Sequence, residues 1–172
     1  MISPTTQLPT YSPGLLDSVS REVERRLRAK GSLLDFTCHT FSAYVAEPAH
    51  ALIARSLDSV VRGECKRLMI FAHPQSGKSE LVSVRFPAYW LGKRPDDPVM
   101  IASYGADLAQ SKSRQARNLV ESVQYQLLFP GGGPARDSRA VDHWELRAPH
   151  RGGLLAMGVG GGITGHGAML GI

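Results

Sequence analysis

The chain is short of cysteine, of long apolar runs and of net charge, and each shortage closes off a class of protein. Cys38 and Cys65 are its two cysteines, and neither has a C-x-x-C partner. Disulfide scaffolds and thiolate metal sites are therefore disfavoured, and two buried free thiols in a reducing compartment are expected. No apolar stretch approaches the length needed to cross a bilayer. The opening MISPTTQLPTYSPG has neither the charged nor the apolar region of a secretory leader. The expectation is a cytoplasmic protein with no membrane partner. Twenty Lys and Arg against 15 Asp and Glu leave a net charge of +5, which permits a polyanionic partner without requiring one. Internal repeats and long low-complexity tracts are also missing.

What is present is ordinary globular material. At 172 residues, 42% hydrophobic and 20% charged, the chain is long enough for one domain with a real core. Met1 to Tyr11 are Pro- and Thr-rich and read as a mobile tail. Ser12-Pro13 then offers a cap and a first-turn proline. Leu15, Leu16, Val19, Val23 and Leu27 follow at helical spacing until Gly31. The opposite face, with Arg21, Glu22, Arg25, Arg26 and Arg28, offers a nucleic-acid contact, but a solvated helix face is the ordinary account of such a pattern and the one preferred. Further helices are predicted from Ser32 to about Val45 and from Pro48 to about Val61. They carry His39 and His50, and a lone helical histidine without a second ligand at metal spacing is ordinarily a packed or surface residue.

From Arg67 the pattern changes. Leu68, Met69, Ile70 and Phe71 form an apolar run without alternation, as a strand buried on both faces would. A helix is predicted from Lys78 to Leu91, stopped by Gly92 and Pro95. Val99 to Ala102 make a second buried-strand candidate. Ala106 to Leu128 read as one long helix with Ala109, Ala116, Leu119 and Val123 on one side. Two more strand-like runs, His143 to Ala148 and Gly153 to Gly158, precede a glycine-dense tail. Strand, helix, strand, helix is an α/β order, and its crossovers imply a mostly parallel sheet flanked by helices, with a helical segment in front. Tyr89 and Trp90 read as core.

The turn after the first run is Ala72-His73-Pro74-Gln75-Ser76-Gly77-Lys78-Ser79. It matches the phosphate-binding pattern GxxxxGK[ST] at Gly77, Lys78 and Ser79, with Ala72 in the place of the first glycine. A loop entering a helix aims backbone N–H groups and the positive end of the helix dipole at one point. Gly77 keeps a side chain out of the way. Lys78 supplies a compact charge for the β- and γ-phosphates, and the Ser79 hydroxyl is a magnesium ligand. Pro74 has no N–H, so donors must come from Ser76 through Ser79. The short pattern also occurs by chance in surface turns, and its weight here comes from the strand before it and the helix and strand after it. His73 has no acid partner and reads as passive.

The stretch HPQSGKSELVSVRFPAYWLGKRPDDPVMIASYGADLAQSKSRQARNLVES resembles the N-terminal ATPase domain of tailed-bacteriophage terminase large subunits. That family follows a PPRHGKSE turn with RFPAW.LG, then an ASYS..LA strand and helix. HALIARSLDSVVRGECKRL is similar to the family's approach to the loop, and GVGGGITGHGA to its lead into the Walker B strand. The likeness spans roughly Ser32 to Ile172, making 1–31 a tail and helix and 32–172 a partial P-loop ATPase domain.

The resemblance implies an ATP- and magnesium-dependent motor that packages double-stranded viral DNA into a procapsid. Its expected partners are a portal protein and a terminase small subunit, its assembly a ring of identical subunits, and its origin a phage or prophage gene in a host cytoplasm. Lys78 becomes the catalytic residue, and Gln75, Ser76, Gly77, Lys78 and Ser79 the nucleotide site, with Ser79 on magnesium. Gln75 stands where many relatives carry an arginine. The acidic Walker B pair would come after Ile172, so the fold is expected to be incomplete at its C-terminus and the nuclease domain absent. Lys112, Arg114 and Arg117 on the long helix are candidate DNA-phosphate contacts, or simply a basic solvated face. The competing readings are a non-hydrolysing nucleotide- or DNA-binding fragment and another P-loop NTPase such as a helicase.

Overall fold

Residues 12–138, 140–159 and 167–172 are described by a computed structural model; the expected mobile tail and the core of the glycine-rich stretch lie outside them. Helix α1 (Pro13–Gly31) starts on the proline and ends where Ser32 turns extended. Its apolar stripe is not covered: Leu15, Leu16, Val19, Val23 and Leu27 are 47–63% exposed. Ser32 closes one helix and opens the next. Its N–H donates to the Arg28 carbonyl, and its hydroxyl accepts from the Asp35 N–H.

Helix α2 (Leu33–Thr40) is shorter than expected, stopping five residues before Val45. Phe41 leaves the helix at φ −143, and its ring lies 5.0 Å from the Arg85 guanidinium carbon. Helix α3 (Pro48–Val61) has the predicted bounds. The Asp58 carboxylate on α3 accepts the Leu33 N–H at 3.0 Å, fastening α3 to the start of α2.

The helical stretch after the turn has three parts: α4 (Lys78–Glu80), a π-helical turn (Leu81–Arg85) and α5 (Phe86–Lys93). Pro87 accounts for the widening. A proline inside a helix lacks a donor and crowds the carbonyl four residues back. One extra residue per turn lets the Phe86 N–H reach the Leu81 carbonyl and relieves that crowding. Arg85 then pairs with Glu80 at 2.7 Å and bonds Thr40 of α2. The helix runs through Gly92 instead of stopping there. Gly92 is needed for contact: a Cβ at this position would stand 2.5 Å from the Phe129 ring.

The single long helix expected over Ala106–Leu128 is two. Helix α6 (Ala106–Glu121) ends and α7 (Val123–Leu128) begins at Ser122, whose ψ of 150 breaks the ladder. The Ser122 hydroxyl donates to the Leu119 carbonyl and accepts the Tyr125 N–H, so the break is capped on both sides. Ala109, Ala116 and Leu119 are buried as expected, but beyond the break Val123 is 70% exposed.

The strands are β1 (Pro98–Ser103), β2 (His143–Glu145), β3 (Gly153–Gly158) and β4 (Leu170–Gly171), in the order β2-β3-β1-β4. Strand β1 pairs in parallel with β3 from Pro98↔Gly153 to Ser103↔Gly158, and in parallel with β4. β2 is antiparallel to β3. The architecture is thus α/β, an open mixed sheet with helices packed on it. Helices α5 and α6 lie against β1, and α6 also against β3, covering Val99, Ile101, Leu154 and Ala156. Met100 is only half-buried and Ala102 exposed, so β1 is buried on one face and not on both.

The core beneath is aromatic. Phe36 packs against Tyr89 (5.3 Å), Tyr125 (6.1 Å) and Phe129 (6.2 Å). Tyr89 and Trp90 are core, with the Tyr89 hydroxyl donating to the Lys30 carbonyl. The Trp144 indole N–H donates to the Ser113 hydroxyl at 3.0 Å, tying β2 to α6. Two expectations fail here. The cysteines are free, but Cys38 is exposed and Cys65 only half-buried. The run Leu68–Phe71 joins no strand: Met69 is 79% and Phe71 87% exposed, and only Ile70 leans on the core. Its residues make no backbone hydrogen bond among the described residues.

Candidate functional site

The turn between that run and α4 has a defined backbone. The His73 carbonyl accepts the Ser76 N–H at 3.4 Å, closing the first bend. Gln75 (φ 61) and Gly77 (φ 73) both take left-handed values. For Gln75 this costs on the order of 1 kcal/mol, which neighbouring contacts must offset. Glycine adopts it freely, which is why residue 77 is glycine. The Gly77 carbonyl accepts from the Glu80 and Leu81 N–H groups, so the helical stretch starts at Lys78.

Among the described residues the N–H groups of Gly77, Lys78 and Ser79 have no acceptor. The Ser76 hydroxyl oxygen is buried and also lacks a partner among them. Unspent donors gathered on one turn suit an anion of phosphate size. Lys78 folds back across the loop, its Nζ donating to the His73 carbonyl at 3.3 Å. That bond to an exposed carbonyl is weak and would exchange for a stronger charge-assisted one. His73 therefore contributes its backbone. Gln75 and Ser79 are exposed.

Beyond the loop, Ser79 and Ser83 line a cleft of about 120 Å³ with Ala102 and Ser103 of β1, Lys112 of α6 and Ile172. The cleft lies at the carboxyl ends of β1 and β4, where open α/β sheets bind ligands. For a metal the offer is thin. The Ser79 hydroxyl is the loop's one suitable side-chain oxygen next to Lys78, and no cluster of three or more His, Cys, Asp or Glu able to hold an ion occurs among the described residues. Magnesium would have to arrive with most of its oxygens already supplied by phosphates and water. Asp107 and Asp142 are both exposed and line no part of this cleft.

The three basic residues of α6 are not one stripe. Lys112 is half-buried and lines the cleft beside Ser79. Arg114 is exposed, and Arg117 leans on the approach to β2, donating to the Ala140 carbonyl at 3.4 Å. A larger cleft of about 380 Å³, lined by Arg136, Arg147, Gln126 and Glu121, contains no residue of the turn.

Sequence reasoning missed His50. It is the third residue of α3 and only 8% exposed. Its Nδ1 accepts the Glu47 N–H at 3.2 Å, and its Nε2 lies 2.6 Å from the Ser76 carbonyl oxygen. The available signal was Glu47-Pro48-Ala49-His50, an acidic cap with a hydrogen-bonding residue three places on. No family model, no curated protein and no solved structure matches this chain. No helix among the described residues is long and apolar enough to cross a membrane.

Proposed function

We propose that the chain binds ATP with magnesium through residues 75–79, as the P-loop motor domain of a phage terminase large subunit. The observation that carries the nucleotide reading is the unspent N–H set of Gly77, Lys78 and Ser79, at a left-handed glycine, on a turn whose Ser79 lines the cleft at the carboxyl ends of parallel strands. Lys78 supplies the charge for the β- and γ-phosphates, and Ser79 the hydroxyl for the metal. The terminase assignment rests on the joint spacing of the loop, the RFPAYWLG helix, the ASYG strand and the basic helix after it. On that reading the partners are double-stranded DNA, a portal protein and a small subunit, in a ring of identical chains. Arg114 and Arg117 belong to the DNA-phosphate contacts, while Lys112 sits closer to the nucleotide.

A second reading is nucleotide binding without turnover. It is favoured by the lining of the Ser79 cleft, where the described residues include Lys112 and no Asp or Glu. Phosphoryl transfer needs a metal held from the protein side and an oriented water.

Calorimetric titration with magnesium and a slowly hydrolysed ATP analogue tests the shared core of both readings. The wild-type chain should bind, and Lys78→Ala should lose measurable binding while its melting temperature stays put. Undiminished affinity in a folded Lys78→Ala protein removes the phosphate-loop reading. Phosphate release measured alongside separates motor from passive binder.

A further inference from the structure

We infer that His50 is a positioning residue for the phosphate loop, holding the Ser76–Gly77 peptide so that the Gly77 N–H faces the ligand. The inference rests on the nucleotide reading of residues 75–79 and adds to it a side chain from outside the loop.

The hydrogen bonds fix the chemistry of the ring. Its Nδ1 accepts the Glu47 N–H, so that nitrogen must keep its lone pair. In the neutral imidazole the proton then sits on Nε2, which donates to the Ser76 carbonyl at 2.6 Å. One ring thus spans the helix cap and the loop. The Glu47 side chain completes the cap by accepting from the His50 N–H. The Tyr44 ring, 5.3 Å away, packs against the imidazole, and burial leaves it little freedom to turn.

The consequence for the loop follows from the planarity of the peptide. The C=O of residue 76 and the N–H of residue 77 belong to one trans unit and point in opposite directions. Drawing the carbonyl towards α3 sends the Gly77 N–H away from α3, where it has no acceptor among the described residues. The positive φ at Gln75 makes this loop geometry costly to hold unaided. Contact is close enough that a Cβ on Gly77 would meet Nε2 at 3.1 Å. The histidine and the glycine are therefore matched: the ring edge abuts the place where a side chain would begin.

Two substitutions divide the ring's duties. His50→Asn keeps a short acceptor for the Glu47 N–H but cannot reach Ser76. His50→Gln carries an amide donor at about the reach of Nε2. Magnesium with the slowly hydrolysed ATP analogue is the probe, read by calorimetry beside thermal unfolding, with Lys78→Ala as the control. His50→Asn should weaken binding by about five- to tenfold, the worth of one hydrogen bond, with little change in melting temperature. His50→Gln should restore most of the affinity. If Lys78→Ala loses binding while His50→Asn binds like wild type, or if Asn and Gln weaken it equally, the inference is overturned and the nucleotide site stands. If wild type fails to bind, or Lys78→Ala binds unchanged, both fall together. Should the variants not fold, the nitrogen-15 spectrum of the wild-type imidazole decides: a proton on Nδ1 and none on Nε2 overturns the inference, and the reverse supports it.

Discussion

Leu68–Phe71 and Val99–Ala102 are alike on paper and opposite in the fold. Both are four-residue apolar runs without alternation, one before the turn and one after the helix it starts. The second is a strand paired on both edges, with Val99 and Ile101 against helices α5 and α6. The first makes no backbone pair among the described residues and leaves Met69 and Phe71 largely exposed. Apolarity, then, is not what makes a strand here. Residues 98–103 find a partner of matching length in 153–158 and a helical face to cover every second side chain. The run at 68–71 has neither among the described residues. Between the two lies the turn, so one flank of the candidate site is a paired strand, while on the other side Ile70 leans on the core and the His50 ring meets the Ser76 carbonyl.

The sharpest way to break the comparison is to put a charge in each run. Val99→Asp buries an unpaired carboxylate between sheet and helices and should cost more than about 4 kcal/mol, enough to unfold a domain of ordinary stability. Phe71→Asp should change stability by no more than about 0.5 kcal/mol and improve solubility. Urea denaturation of the two proteins is the measurement. A large loss from Phe71→Asp would mean that the first run is packed in solution.

A smaller effect separates the packed helices from the open one. Alanine for glycine inside a helix ordinarily gains up to about 1 kcal/mol. Gly14, in the first turn of α1, has open space around it, and Gly14→Ala should show part of that gain, about 0.5 kcal/mol. Gly92→Ala should instead cost about 1–3 kcal/mol, because the new methyl collides with the Phe129 ring. Equal gains at the two sites, read from melting curves, would mean that α5 and the Phe129 turn are not in contact.

The same contrast explains what was legible in the sequence. Helix α3, strand β1 and strand β3 were readable to the residue or nearly so, because local punctuation and tertiary packing agree there: Pro48 opens a helix, and Gly153 is forced by the Trp144 carbonyl that a Cβ would strike at 2.4 Å. The role of Gly92 was not, since it depends on the distant Phe129 ring; the π-helical turn beside Pro87 and the break at Ser122 were missed although the residues behind them are local. At the turn, Gly77, Lys78 and Ser79 stood out by type and spacing. His50 did not, being 26 residues from Ser76 and unremarkable on its own helix. The candidate nucleotide residues carry a local pattern, and the cap at Glu47–His50 carries a weaker one, whereas the contact between His50 and Ser76 is visible only in the fold.

The smallest expected effect concerns the last firm anchor before the open run. Asp58 accepts the Leu33 N–H, and the Val61 carbonyl takes the Arg94 guanidinium at 2.8 Å; past Arg62 the chain leaves the packed body. Burial pushes the Asp58 carboxyl above its ordinary range, and the Leu33 N–H, with Arg62 and Lys93, pulls it back only in part. The folded protein therefore holds this proton more tightly than the unfolded chain does. Stability from a raised acid is fully present below the unfolded value of about 4 and is lost as pH climbs through the folded one. Asn at this position keeps an oxygen for Leu33 and has no charge to desolvate. Asp58→Asn should thus equal wild type near pH 3.5 and be slightly the more stable by pH 7, whereas Asp58→Ala, which strands the Leu33 N–H, should cost about 1–3 kcal/mol. Chemical denaturation across this pH range is the check. An Asn variant less stable than wild type at pH 7 would show that the ionised carboxylate is what the α2–α3 junction requires, and that its bond to Leu33 outweighs its burial.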